Sequence, residues 1–351
     1  MRSLRLAVDL NRALASTEDS PPPRTISGTL LEAVINPSQG GDIVSLRHVP
    51  TGQEVLWRHP RWVDQLPSGG GSDPTPEGFY DNYPGGIQEL FPNAGPACVV
   101  EEAPLAFHGE ACRVPWKIES TVGRATVVLT AELKRYPFAL RRTVTIDSTE
   151  PVLRIRSEIQ NKSSRRLPFH WGLHPVFAPS VTAEPAYLEG AFDRVRSHPE
   201  TFGNKQVHKP GAEFLTDGRL ELTASDAKCA DLLYARCEAG KATISSQAEN
   251  GLAVTLTWPV DVFPELWIWQ ECHDQAGYPW FGIHHVVGIE PHTSAPAHGL
   301  AASRDRESCH WSGPYEHHAV EFEFRVEAAA GRDEVASRDG NSETKRKKPT
   351  T

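Results

Sequence analysis

The stretch Phe169-His170-Trp171-Gly172-Leu173-His174-Pro175-Val176-Phe177 lies near the middle of the chain and decides how the rest is read. Gly172 and Pro175 both oppose a helix. In an extended chain, side chains two apart share a face. His170, Gly172 and His174 therefore fall on one face, and Phe169, Trp171 and Leu173 on the other. The run just before it, residues 152–159, alternates Val152, Arg154, Arg156 and Glu158 against Leu153, Ile155, Ser157 and Ile159. That pattern predicts a half-buried strand. Two histidines at a strand end are either satisfied core groups or part of a site, and partners elsewhere in the chain decide which.

Outward from this centre the texture stays β. Short apolar runs with turn punctuation predict strands at 25–35, 42–48, 54–57, 114–118, 125–133 and 138–146. Further strands are predicted at 220–223, 241–246, 252–258, 266–269, 286–290 and 319–326. Helical periodicity is weak. Residues 64–97 are rich in glycine and proline and carry Phe79, Tyr80, Tyr83 and Phe91. A loop of that length is usually functional or disordered, and its aromatics predict a segment packed near a cleft. Residues 1–24 read as a loosely attached N-terminal arm, preferred over a short helix stopped at Pro21-Pro22-Pro23, residues 25–328 as one β domain, and residues 329–351 as a polar, disordered tail ending in Lys345-Arg346-Lys347-Lys348-Pro349.

Composition narrows the function. With 36 Lys+Arg against 45 Asp+Glu the net charge is −9, which disfavours nucleic acid or an anionic membrane as the main partner. No apolar run approaches the ~20 residues of a membrane-spanning helix. The start of the chain lacks the apolar core of a secretory signal, because Asp9, Asn11 and Arg12 interrupt it. The cysteines at 98, 112, 229, 237, 272 and 309 show no metal or redox spacing, so free thiols in a cytoplasmic protein are expected.

Three segments carry candidate chemistry. The first is Phe107-His108-Gly109-Glu110 with Arg113 and Trp116. The second is the His170/His174 stretch. The third is Val286-Val287-Gly288-Ile289-Glu290-Pro291-His292-Thr293-Ser294-Ala295-Pro296, where Glu290 closes an apolar strand before an expected proline turn. Burial can tune a carboxylate in such a place. In Pro264-Glu265-Leu266-Trp267-Ile268-Trp269-Gln270, the two tryptophans share one strand face.

His108-Gly109 with Trp116, His174-Pro175 with Phe177, and Glu290-Pro291 with Thr293 and Pro296 together resemble the aldose 1-epimerase (galactose mutarotase) family, over roughly residues 25–328. The resemblance implies an all-β fold, a galactose mutarotase-like supersandwich of antiparallel sheets with a sugar in a cleft on a concave sheet. It implies a carbohydrate isomerase that interconverts α and β anomers by acid/base ring opening, without metal or other cofactor. By the same resemblance Glu290 is the base and His174 the acid. His108, His170, Trp269 and Asp231 are substrate-binding residues. The implied partner is a small-molecule sugar, and the protein a monomer or homodimer.

The chain also departs from the family. Phe91-Pro92-Asn93-Ala94-Gly95-Pro96 lacks the arginine often found after such a turn, and Gly172-Leu173 replaces the usual asparagine before the histidine. Two other readings follow: a non-catalytic carbohydrate-binding protein of the same fold, and a hexose-phosphate mutarotase. The second would need convergent arginines, for which Arg113, Arg141 and Arg142 are candidates. The adjacent pairs His284-His285 and His317-His318 point to opposite strand faces and do not suit a shared metal ion.

Overall fold

The computed structural model describes residues 21–69, 71, 73–223 and 227–329. The expected arm up to residue 20 and the tail from residue 330 lie outside the described residues.

Two large antiparallel sheets stack on each other. The first runs in the order Arg24–Ser27, Leu31–Asn36, Asp42–His48, Ile87–Leu90, Gly172–Phe177, His285–His292, Glu265–Cys272, Cys229–Arg236, Arg194–Ser197 and Glu213–Leu215, with Gln53–Glu54 paired to the third of these. The second runs Arg219–Glu221, Ala186–Gly190, Lys241–Ser246, Leu252–Thr257, His317–Ala328, Val152–Asn161, Phe138–Ile146, Thr126–Glu132 and Lys117–Val122. The fold is all-β and antiparallel, as expected from the sequence.

Period-two alternation explains the layering. On Glu265–Cys272, Leu266 and Ile268 point into the core between the sheets, while Trp267 and Trp269 point to the outer face. On His285–His292, Val287 and Ile289 join the same core and Val286 the outer cluster. The second sheet answers with Leu140, Ile155 and Phe322. The alternation is realised from residue 153 on: Leu153, Ile155, Ser157 and Ile159 are buried and Arg154, Arg156 and Glu158 are not, whereas Val152 at the strand's start is buried as well.

Several expectations shift. The strand predicted at 25–35 breaks into two, because the chain turns at Gly28, whose N–H donates to Leu31 O at 2.9 Å. The strand ending in Glu290 does not stop at a proline turn. Pairing with the neighbouring strand continues through Pro291 to His292. The glycine- and proline-rich segment 64–97 is not all loop: it contains the short helix Pro76–Tyr80, capped by Thr75, and the central strand Ile87–Leu90. Strand Cys229–Arg236 was not foreseen, because its sequence Cys-Ala-Asp-Leu-Leu-Tyr-Ala-Arg is buried on both faces and carries no alternation.

One charged cluster crosses the core. Glu89, on Ile87–Leu90, is 1% exposed. It accepts from Arg142 Nε at 2.9 Å, from Arg142 Nη2, from Ser157 Oγ at 3.0 Å and from Trp171 Nε1 at 2.8 Å. Arg142 donates further to Gly41 O at 2.8 Å and lies over the Trp116 ring. A buried carboxylate is tolerable when a cation and hydrogen bonds satisfy it. Here the pair ties one sheet to the other. The six cysteines are free thiols.

Candidate active site

The outer face of the first sheet carries the candidate site. The strands Gly172–Phe177 and His285–His292 are neighbours, and the pairs Gly172↔His292 and Val176↔Gly288 set their register. That register brings His174 and Glu290 side by side on one face. His174 Nε2 lies 3.5 Å from Glu290 Oε1. On the other flank Trp267 is paired with Glu290 and Trp269 with Gly288. Gly288 leaves the Glu290 carboxyl room in this position, since a Cβ there would sit 2.6 Å from Oε1 and displace it.

Above this floor is an open cleft of about 180 Å³, room for a small organic molecule. His108, His174, His198 and Glu290 supply its polar groups, and Phe79, Tyr80, Tyr83, Phe107, Phe202, Leu232, Trp267 and Trp269 most of its wall. Helix Pro76–Tyr80 and the turn after it deliver three of these aromatics, as the sequence predicts, whereas Phe91 packs in the core between the sheets. Phe79 packs against Tyr83 and Phe107 at ring distances of 5.2 and 5.5 Å.

His108 occupies a left-handed turn at φ 59°. Its backbone N–H donates to Gly95 O at 3.0 Å, and its Nδ1 accepts from Gly95 N at 3.1 Å. An accepting Nδ1 leaves the proton on Nε2, so the ring offers one donor. Its ring lies 5.8 Å from that of His174. Trp269 lines the cleft 5.7 Å from the His174 ring.

His170 and Asp231 are not among the cleft-lining residues. His170 is fully buried behind the floor, with Nε2 3.2 Å from His292 Nδ1. Asp231 is also fully buried and bonded to His208, through Nδ1 at 2.5 Å and the backbone N–H at 3.2 Å. The sequence reading did not single out His292 or His198 for the site. His292 carries a legible signal, since it lies two residues after Glu290 and so on the same strand face. Tyr83 presents a buried hydroxyl without a partner among the described residues, its ring 5.9 Å from that of His174.

Burial governs the electrostatics. It lowers the His174 imidazole to about 4 and the His170 imidazole to about 3, and holds His108 and His292 well below the ordinary histidine value. It raises the Glu290 carboxyl well above the ordinary carboxylate range. Both shifts follow from the cost of a charge in a dry site. For His174 and Glu290 they favour an uncharged pair that holds one proton, weighted toward Glu290.

At the rim, His198, Glu200 and His298 offer ligand atoms within 4.8 Å of one another, a set able to surround a divalent cation. Existing hydrogen bonds oppose that use. Arg306 Nη2 can only donate, so His298 Nδ1 accepts its bond at 2.7 Å. The His298 proton is then on Nε2, given to Glu200 at 2.7 Å. Of the adjacent histidine pairs, His284 faces Trp57 and His59, whereas His285 faces His273.

The solved structures most like this one include the Slr1438 protein of Synechocystis, at 18% identity and TM-score 0.66, covering 89% of this chain and 97% of that one. They also include a galactose mutarotase related enzyme of Lactobacillus acidophilus, at 17% identity and TM-score 0.62, covering 88% and 98%. A galactose mutarotase-like protein of Lactobacillus casei aligns at 18% identity and TM-score 0.59, covering 87% and 100%. At these identities the likeness is one of fold. Residues 25–186 match the model of the aldose 1-epimerase family, so the resemblance read from the sequence stands over that stretch. It includes His108 and His174 and ends before Glu290. No curated protein matches the sequence.

Proposed function

We propose that this protein interconverts the α and β anomers of a free, uncharged aldose. The observation that carries the reading is the buried His174–Glu290 pair, 3.5 Å apart at the floor of an aromatic cleft. Mutarotation needs one acid and one base that exchange single protons with O1 and O5 of the sugar. Both oxygens are bonded to C1, so two groups this close can each reach one of them.

Ring opening starts from carboxylate and imidazolium. Glu290 takes the O1 proton and His174 gives its proton to O5. The C1–O5 bond breaks, C1=O1 forms, and the pair is left as carboxylic acid and neutral imidazole. Rotation about C1–C2 turns the other carbonyl face toward O5. Ring closure reverses each transfer and restores the starting protonation. The pair thus carries one proton throughout and alternates between its two arrangements. The burial that favours the uncharged pair favours the ring-open stage. His108 offers its Nε2–H to a sugar oxygen, and Trp269 offers a ring face to the C–H side of the sugar.

The hexose-phosphate alternative lacks support. Among the described residues no arginine or lysine lines the cleft. Arg142 is bonded to Glu89, Arg141 to Glu119 and Glu158, and Arg113 to the Asp73 carbonyl.

The test is anomer exchange followed by NMR over a panel of free sugars, for the native chain and Glu290→Gln. The variant should lose roughly 10²- to 10⁴-fold, the usual contribution of a general base. Sugar binding without any acceleration by the native chain would instead support a carbohydrate-binding protein of this fold.

A further inference from the structure

Behind Glu290 lies a second pair of buried groups that cannot touch a sugar. His292 Nε2 is 3.2 Å from Glu290 Oε2, and His292 Nδ1 is 3.2 Å from His170 Nε2. Both imidazoles are fully buried, and neither lines the cleft. The fold makes specific room for them. A side chain at Gly172 would overlap the His292 ring. Trp267 stacks face to face on that ring, with centroids 3.6 Å apart and planes at 13°, and is itself pinned by its Nε1 donating to Ser294 O at 2.9 Å.

We infer that His292, backed by His170, is a positioning residue for Glu290: the two imidazoles form a one-way hydrogen-bond relay that presents an N–H to Oε2 and leaves Oε1 to meet the sugar. The catalytic consequence rests on the mutarotase reading, whereas the direction of the relay does not.

The direction follows from counting donors. His170 Nδ1 is buried and has no partner among the described residues. If the donors run toward Glu290, His170 gives its Nε2–H to His292 Nδ1, and His292 gives its Nε2–H to Oε2. Every ring N–H is then used, and the unpaired atom is a lone pair. In the reverse direction Glu290 must be protonated on Oε2, and the chain ends in an unpaired N–H on His170. A buried N–H without an acceptor is the rarer condition. The relay therefore supports the carboxylate form of Glu290 against the burial that opposes it, and biases the shared proton toward His174, the arrangement from which ring opening starts.

The titratable groups around Glu290 come from every element packed on it. They are His292 on its own strand, His174 on the next, Tyr234 on Cys229–Arg236, and His108, Tyr80 and Tyr83 from the cleft-side loops. Tyr80, Tyr83 and Tyr234 are raised, chiefly by burial, and stay uncharged at working pH. His292 is thus the donor to the second oxygen of the base.

The test compares His292→Leu, which removes the donor, with His292→Gln, whose amide N–H can replace it. In His292→Leu, kcat should fall about ten- to hundred-fold, the size of one hydrogen bond to a charged group, with KM little changed. Its pH–rate profile should move to higher pH, because the carboxylate loses a donor that favours its charged form. His292→Gln should keep most of kcat and the native profile. Equal losses in both variants, or an unshifted profile in His292→Leu, would reduce His292 to a packing residue. A second measurement needs no sugar and stands even if the chain accelerates no anomer exchange. With ¹⁵N-histidine in the native protein, both His292 and His170 should be neutral with the proton on Nε2, and protons on Nδ1 would overturn the relay.

Discussion

Two buried carboxylates, one strand apart, receive opposite treatment. Glu89 and Glu290 are 1% and 2% exposed, and strand Gly172–Phe177 separates the strands that carry them. Glu89 points between the sheets, where Arg142, Ser157 and Trp171 satisfy both its oxygens. Glu290 points outward, with the His174 and His292 imidazoles at its two oxygens and a cleft above. Arginine cannot lose its charge in a protein, so the Glu89 site has one protonation state and serves as a joint. Imidazoles can gain or lose a proton, so the Glu290 site has several and can serve as a proton exchanger. Burial alone does not separate structure from chemistry here. The kind of partner does.

The sharpest way to break this comparison is to remove the fixed cation. Arg142→Met leaves the Glu89 charge uncompensated and should cost about 3–5 kcal/mol in urea unfolding. Replacing both partners, Arg142→Met with Glu89→Leu, should recover much of that. A single-variant cost under about 1 kcal/mol would mean that the two carboxylates are not held differently.

pH provides the next test, and the two signs differ. His174 and His170 have folded values of about 4 and about 3, below the unfolded value of about 6.5. The unfolded chain therefore takes up protons first, and stability is lost as pH falls from about 6.5 toward those values. With His108 and His292 shifted the same way, urea midpoints should show a loss of at least about 2 kcal/mol between pH 7 and pH 5. Glu290 is raised by burial, so its contribution is present below the unfolded value of about 4.3 and is lost as pH rises through the folded one. Glu290→Gln should therefore gain stability relative to the native chain as pH rises. A constant difference across pH would mean that Glu290 is not desolvated.

The smallest effect sharpens the outer side of the comparison. Trp269→Ala removes one aromatic wall and should raise KM about fivefold, near 1 kcal/mol, with a smaller change in kcat. Saturation kinetics with the best sugar of the panel would read this directly.

Much of the fold could be read locally. The alternation at 152–159 and the two tryptophans at 267 and 269 assign faces correctly, because strand parity depends only on neighbours two residues apart. The same parity would have put His292 beside Glu290, had the strand not been expected to end at Pro291. Cys229–Arg236 escaped notice because a strand buried on both faces lacks alternation. Asp231 lies on that strand, where the structure pairs it with His208 away from the cleft.

What the sequence determined by itself was the β architecture, the faces of its strands and, through resemblance, the nomination of His174 and Glu290. Tertiary structure alone decided the partners: Arg142 for Glu89 across 53 residues, and His292 for His170 across 122. Local pattern records which way a side chain points, whereas its partner depends on sheet order and register. In this chain those arise only when strands distant in sequence pair.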